Sequence, residues 1–225
     1  MLNIPYQDKS SPWSSHSLIY MLIEKMPAHS KVLDVGTASG MLARQEWKHP
    51  LRFFGIEAVS EWAEIAAPFY EKMWVCTFDE ASEEMLGGYN AIVLGDVLEH
   101  MSSPDKALKK LVNLQPSGAL FVISVPNIAN FWMRLNLLFG RFDYADRGIM
   151  DRTHLRFFTR KTIRLLIENA GLEVLSIQVT PIPLELVSPF FLSRVGRVFH
   201  YIFAKLTSIL PTLLGYQFIV EAKKP

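Results

Sequence analysis

Four groups of residues in this chain of 225 have types and spacings suited to chemistry. The first is Asp34-Val-Gly36-Thr37-Ala38-Ser-Gly40, where an acidic residue sits in the apolar run that ends at two spaced glycines. Gly36 and Gly40 let the backbone bend sharply and let a ligand approach it closely. A helix beginning at about Met41 would add free N–H groups for a carboxylate or a phosphate. The second is Glu57, closing Phe53-Phe-Gly-Ile-Glu57, a carboxylate able to accept both hydroxyls of a ribose. The third is Asp96-Val-Leu-Glu99-His100. On a helical turn those positions share one face, so they suit acid–base work or a divalent metal. A full ligand set is not visible, and the favoured expectation is a loop-ordering pair with no metal. The fourth is His154 in Asp151-Arg-Thr-His154, a base or a brace for its loop.

These residues need a scaffold to bring them together. Short apolar runs alternate along the chain with longer amphipathic segments, the pattern of a parallel sheet with crossover helices. Strands are expected at 31–35, 51–57, 74–76, 89–94, 119–125, 172–179 and 216–222. Ser14 or Ser15 should cap a first helix running to about Lys25, and a second helix should cover 61–70. Ser103-Pro104 reads as an N-cap with proline in the first turn of a helix to about Leu114. Thr159 caps a helix that ends at Ala170-Gly171, with glycine in the position that favours a C-terminus.

Composition narrows the function. Lys and Arg total 23 against 22 Asp and Glu, a net charge of +1, which argues against nucleic acid as an obligate partner. A single cysteine, Cys76, excludes an intrachain disulfide and fits a reducing, cytoplasmic setting. The start, Met1-Leu-Asn-Ile-Pro, lacks the basic segment and apolar run of a signal peptide. No stretch near the ~20 residues of a spanning helix is free of charged or polar breaks. Half of the residues are hydrophobic, enough for one domain with a real core.

The glycine loop and Glu57 resemble those of the class I S-adenosylmethionine (SAM)-dependent methyltransferases, whose first motif is an acidic residue followed by G-x-G-x-G. Here Ala38 stands at the middle glycine. Asn90–His100 resembles the fourth-strand motif of the ubiquinone-type members, 118–127 their fifth-strand segment, and 215–224 the last, antiparallel strand. Residues 148–159 resemble a bacterial subgroup associated with glycan or lipid modification. The resemblance covers about residues 10–180 and the last ten. It implies a doubly wound, mostly parallel, seven-stranded α/β sheet (Rossmann-like), with an antiparallel last strand and a helical insertion before it. It implies SAM as cofactor, with Asp34, Gly36, Thr37, Ala38 and Gly40 at the methionine end and Glu57 on the ribose. Asp79 would meet the adenine amino group, and Asp96 would sit beside the cofactor edge. His154 and His100 compete as the base for a hydroxyl acceptor.

The whole chain, 1–225, reads as one domain, with 128–158 and 183–214 as caps on the acceptor side. On a helical wheel over 190–210, Ser193, Arg197, His200, Ala204 and Ser208 fall opposite Phe191, Val195, Val198, Ile202, Leu206 and Ile209. That pattern suits a helix at a membrane surface, a lid, a dimer contact or an ordinary core helix. The expected acceptor is a small molecule, a glycan or a lipid-linked compound. Two rival readings share the first strand–loop–strand unit. One is an NAD-dependent oxidoreductase or epimerase, which would want a Tyr-x-x-x-Lys pair or equivalent hydride chemistry. The other is a non-catalytic SAM-binding protein.

Overall fold

The computed structural model describes residues 12–184 and 188–225. The signal-peptide reading of Met1–Pro5 and part of the 183–214 connection lie outside those residues. The strands are β1 (Lys31–Val35), β2 (Arg52–Glu57), β3 (Lys72–Val75), β4 (Ala91–Gly95), β5 (Leu120–Pro126), β6 (Glu173–Thr180) and β7 (Gln217–Lys223). They form one 7-stranded sheet in the order β3-β2-β1-β4-β5-β7-β6. All contacts among β1 to β5 are parallel, and β7 runs antiparallel between β5 and β6. This is the expected doubly wound α/β architecture with an antiparallel last strand.

The helices are α1 (Ser15–Ile23), α2 (Ser60–Ala66), α3 (Glu83–Leu86), α4 (Pro104–Leu114), α5 (Phe131–Leu138), α6 (Arg160–Asn169), α7 (Arg194–Ile209) and α8 (Pro211–Leu214). The central strands are near-continuous apolar runs because both faces are covered, and successive side chains alternate between two cores. Leu33, Ile92, Phe121 and Val220 meet α4 and α6 on one face. Val32, Val93, Val122 and Ile219 meet α1 on the other. Ser14 caps α1 by accepting from Ser17 N–H. Thr159 caps α6 in a reciprocal pair with Thr162, and Gly171 takes φ +93 just after it.

Three local expectations change. No helix follows the glycine loop; residues 41–45 make turns only. Neighbours take the groups a helix would use. Tyr20 Oη donates to Glu46 O at 2.7 Å, Lys48 N donates to Glu24 Oε1 at 3.0 Å, and the Trp47 ring packs 4.6 Å from Tyr20 and 5.2 Å from Phe53. The second helix stops at Ala66 and tightens to a 3₁₀ turn over Ala67–Phe69, because Pro68 has no N–H to continue the ladder. Ser103 does occupy the N-cap of α4, yet its side chain makes no capping bond.

Candidate active site

Strand order reverses at the β1–β4 pair, so the loops leaving these neighbours diverge and open a crevice beyond their carboxyl ends. A cavity of about 940 Å³ occupies that crevice. Gly36, Thr37 and Ala38 from the β1 loop, Glu57 from the end of β2, and Asp96 and His100 from the β4 loop all line it. Residues of α1, among them His16 and Tyr20, wall the remaining side.

The glycine loop is held by its neighbours. Gly36 N and Thr37 N both donate to Ile56 O, at 2.8 and 3.3 Å, so the chain turns hard at the end of β1. Gly36 has φ +75, and a Cβ there would stand 2.8 Å from Val97 Cγ2. Gly40 has φ +76 and lies against Ala66 of α2. Ala38 also takes a left-handed backbone, φ +46, so the family's middle glycine has a physical reason that this chain overrides. Ala38→Gly should therefore raise the melting temperature by about 2–4 °C, the equivalent of ~1 kcal/mol of relieved strain in a domain of this size. Calorimetric melting is the check, and a lower melting temperature would show that the strain is not there.

Glu57 is buried at the rim and braces the loop. Its Oε2 accepts from Ala38 N at 2.7 Å and its Oε1 from Val59 N at 3.0 Å. A carboxylate has about four acceptor positions, so these bonds fix its plane and leave acceptor capacity for a diol. Asp34 is buried on the cavity wall and accepts from Tyr70 Oη at 2.6 Å. Burial pushes its pKa up to about 6; the Tyr70 hydrogen bond opposes this, and the Glu57 charge adds to it.

Asp96 does not join Glu99 and His100. It has φ +55, and its carboxylate turns toward the sheet, where Oδ1 accepts from Ser124 Oγ at 2.7 Å and Oδ2 from Gln217 Nε2 at 2.6 Å. Leu98–His100 is a 3₁₀ turn that begins after Asp96, so the spacing of an α-helical turn does not apply. His154 takes the place that spacing assigned to Asp96. The ligand atoms of Glu99, His100 and His154 lie within 4.8 Å of one another, a set with the chemistry to hold a divalent cation. Glu99 is 1% exposed and neither oxygen has a hydrogen-bond partner. Burial first, then the charges of Asp96 and Asp151, raise its pKa well above the ordinary carboxylate range.

The two histidines have different places. His100 lines the cavity, whereas His154 is buried behind it with the rings edge-on at 4.9 Å. His154 Nδ1 lies 3.0 Å from Ile149 O and His100 Nδ1 lies 3.3 Å from Thr153 O. A carbonyl only accepts, so each Nδ1 carries the proton and each Nε2 is the basic nitrogen. Burial, with the nearby His100, holds the His154 pKa below the usual imidazole value.

Asp79 stands apart from this assembly. It is exposed on the turn after β3 and does not line the cavity. Three further residues position the site without being among those expected from spacing: Tyr70, Ser124 and Gln217. For the last two the sequence does hold a signal, since Ser124 is a polar side chain inside the apolar strand β5 and Gln217 one at the start of β7. A Tyr-x-x-x-Lys spacing does occur, at Tyr201 and Lys205, but both are exposed on α7 and neither lines the cavity, so it lends nothing to hydride chemistry there.

The chain belongs to the methyltransferase-domain family, whose sequence profile matches residues 15–177. Its fold is that of the class I SAM-dependent methyltransferases, and the cavity fits their cofactor: a glycine turn too tight for a Cβ, a braced carboxylate beside it, and ample volume. Over 157 residues it is 28% identical to the mitochondrial ubiquinone biosynthesis O-methyltransferase of Mus musculus, covering 64% of this chain and 41% of the relative. It is 25% identical to the human enzyme of that name over 171 residues, 68% of this chain and 46% of the relative. The chain thus matches less than half the length of these relatives. Among solved structures it resembles the magnesium protoporphyrin IX methyltransferase of Synechocystis PCC 6803 with bound SAH, at TM-score 0.62, 13% identity, and 95% and 83% coverage of the two chains. A SAM-dependent methyltransferase from Archaeoglobus fulgidus superposes at TM-score 0.57 with 17% identity, covering 93% and 94%.

Proposed function

We propose that this chain methylates a hydroxyl oxygen on a small-molecule, glycan or lipid-linked acceptor, working as a cytoplasmic enzyme, with His100 as the base. The observation that carries this reading is His100 on the wall of the same cavity that holds the glycine loop and Glu57. The O-methyltransferase names of the curated relatives support an oxygen acceptor. The single cysteine supports a reducing compartment.

SAM supplies the methyl group on a sulfonium, which departs as a neutral thioether. Gly36, Thr37 and Ala38 form the floor against the cofactor, Gly40 holds the turn against Ala66 without lining the cavity, and Glu57 takes the ribose hydroxyls. Asp34 and Asp96 are held by neighbours on the cavity wall. The main work of these residues is positioning: the acceptor oxygen must lie in line with the bond that breaks. His100 Nε2 accepts the hydroxyl proton as the oxygen attacks. His154 keeps His100 in place, and with its lowered pKa it stays neutral, so the proton gained by His100 meets no second positive charge.

Titration calorimetry with SAM, SAH and NAD tests the first part. SAM and SAH should bind and NAD should not; NAD binding without SAM binding overturns the proposal. Transfer of a labelled methyl group to hydroxyl-bearing acceptors, but not to their deoxy analogues, tests the oxygen.

A further inference from the structure

α7 packs the side of its wheel with small and polar residues against the body. Gly196, His200 and Thr207 are its buried residues. The Trp13 ring lies 5.3 Å from His200 and 5.9 Å from Tyr201, and Gly196 sits directly on the 3₁₀ turn Pro189–Leu192. The apolar stripe therefore faces outward: Val195, Val198, Phe199, Ile202, Leu206 and Ile209 are all exposed, Ile202 by 50% and Ile209 by 71%. Successive positions at 100° place this stripe on one side, with Arg194 and Lys205 along its edge and Arg197 beyond them.

A second set of exposed apolar side chains lies at the same end of the sheet. α5 buries Met133 and exposes Phe131, Trp132, Leu137 and Leu138, the last by 78%. Asn127 Nδ2 donates to Gly215 O at 2.8 Å and to Thr212 O at 3.0 Å, and Asn130 Nδ2 donates to Gly215 O at 2.9 Å. These bonds tie the start of α5 to the segment that follows α7. Register puts the two faces at one end of the sheet: Pro126 pairs with Gln217, and Gln217 with Thr180. Both connections thus leave from the carboxyl ends of β5 and β6, the end at which Asp96 borders the cavity.

Charge selects the occupant. Residues 188–220 contain Arg194, Arg197 and Lys205 and no Asp or Glu, and residues 127–142 contain Arg134 and Arg141 and no Asp or Glu. All five basic residues are exposed. The whole chain is nearly balanced, at +1, so everything outside these two segments carries a net charge of −4. A second copy on a twofold axis would set these five basic side chains against themselves. A bilayer with anionic headgroups offers what the face lacks, negative charge at the edge and hydrocarbon beneath it. Among the described residues no helix is long and apolar enough to cross a membrane, so α7 would lie in the plane of the interface.

We propose that the outward faces of α7 and α5 form a docking surface for an anionic phospholipid bilayer, which sets the cavity at the membrane surface. The proposal stands apart from the acceptor's identity and from methyl transfer itself. Sedimentation with phosphatidylcholine vesicles, with and without phosphatidylglycerol, is the test. The protein should pellet with the anionic vesicles and only weakly with the neutral ones, and added salt should release it. Ile202→Asp should abolish pelleting while its circular dichroism and SAM titration stay as in the wild type. Arg194→Glu with Lys205→Glu, which alters only exposed charge, should weaken vesicle binding by about fivefold or more per basic residue removed. Failure of the wild type to pellet with anionic vesicles overturns the proposal. So does pelleting that the charge-reversed variant retains in full, and so does a wild-type dimer that Ile202→Asp turns into a monomer, since a second copy then covers the face. A lost SAM titration in wild type would instead count against the cofactor site alone.

Discussion

Glu57→Ala is expected to cut SAM affinity by at least about tenfold, read by titration calorimetry. The ribose would lose a pair of hydrogen bonds to a carboxylate, each worth about 1.5–3 kcal/mol. Glu57 also accepts from Ala38 and Val59 N–H groups, so its loss leaves two donors bare at the turn and should lower the melting temperature as well. Glu57→Gln separates the two effects. The amide keeps the shape and one acceptor oxygen but turns an N–H₂ group toward a backbone donor or toward the ribose. It should recover much of the melting temperature and little of the affinity. Wild-type affinity in both variants would place the ribose elsewhere.

His100→Ala should lower turnover by about a hundredfold or more, with SAM binding intact, because the step loses its proton acceptor. His154→Ala should cost less in turnover and more in stability, since His154 is buried, bonds Ile149 O and supports the His100 ring. A chelator distinguishes a base from a metal ligand. With His100 as base, chelation leaves the wild-type rate unchanged. A chelated wild type as slow as His100→Ala would instead mean that Glu99, His100 and His154 hold a catalytic cation. Equal activity of His100→Ala and wild type would leave proximity as the whole of the catalysis.

Local rules were sufficient where local chemistry decides. The apolar run Lys31–Val35, the Thr159 cap and Gly171 past the end of α6 were all legible because neighbours in sequence set them. The glycine loop and Glu57 were legible for the same reason: each stands at the end of its own strand. What the sequence concealed was decided at long range. The turn after Gly40 lost its helix to Tyr20, Glu24 and Phe53, which lie outside it. Asp96 left the group suggested by its spacing because Gln217, 121 residues away, reaches its carboxylate. Glu99 gained His154 through a loop fold that no periodicity encodes. On α7 the wheel separated the apolar stripe, but a wheel carries no direction: the stripe is exposed, and of the polar side named from it only His200 turned inward, beside Gly196 and Thr207. Asp79 lay in the expected turn, whose path away from the cavity depends on how β3 sits at the sheet edge.

The position of β7 has a consequence for assembly. Among the described residues β6 hydrogen-bonds to no strand of the sheet except β7, and β7 follows it in sequence. Residues 173–180 can therefore emerge from a ribosome and find no edge to join until 217–223 arrive and enter between them and β5. The same strand brings Gln217, which turns Asp96 away from Glu99. Both pairings close long loops, which slows folding and leaves the β5 edge bare in the interval. The catalytic end is thus completed only once 217–223 have been made, so a chain lacking them would release a half-sheet with an open, sticky margin rather than a weakened enzyme.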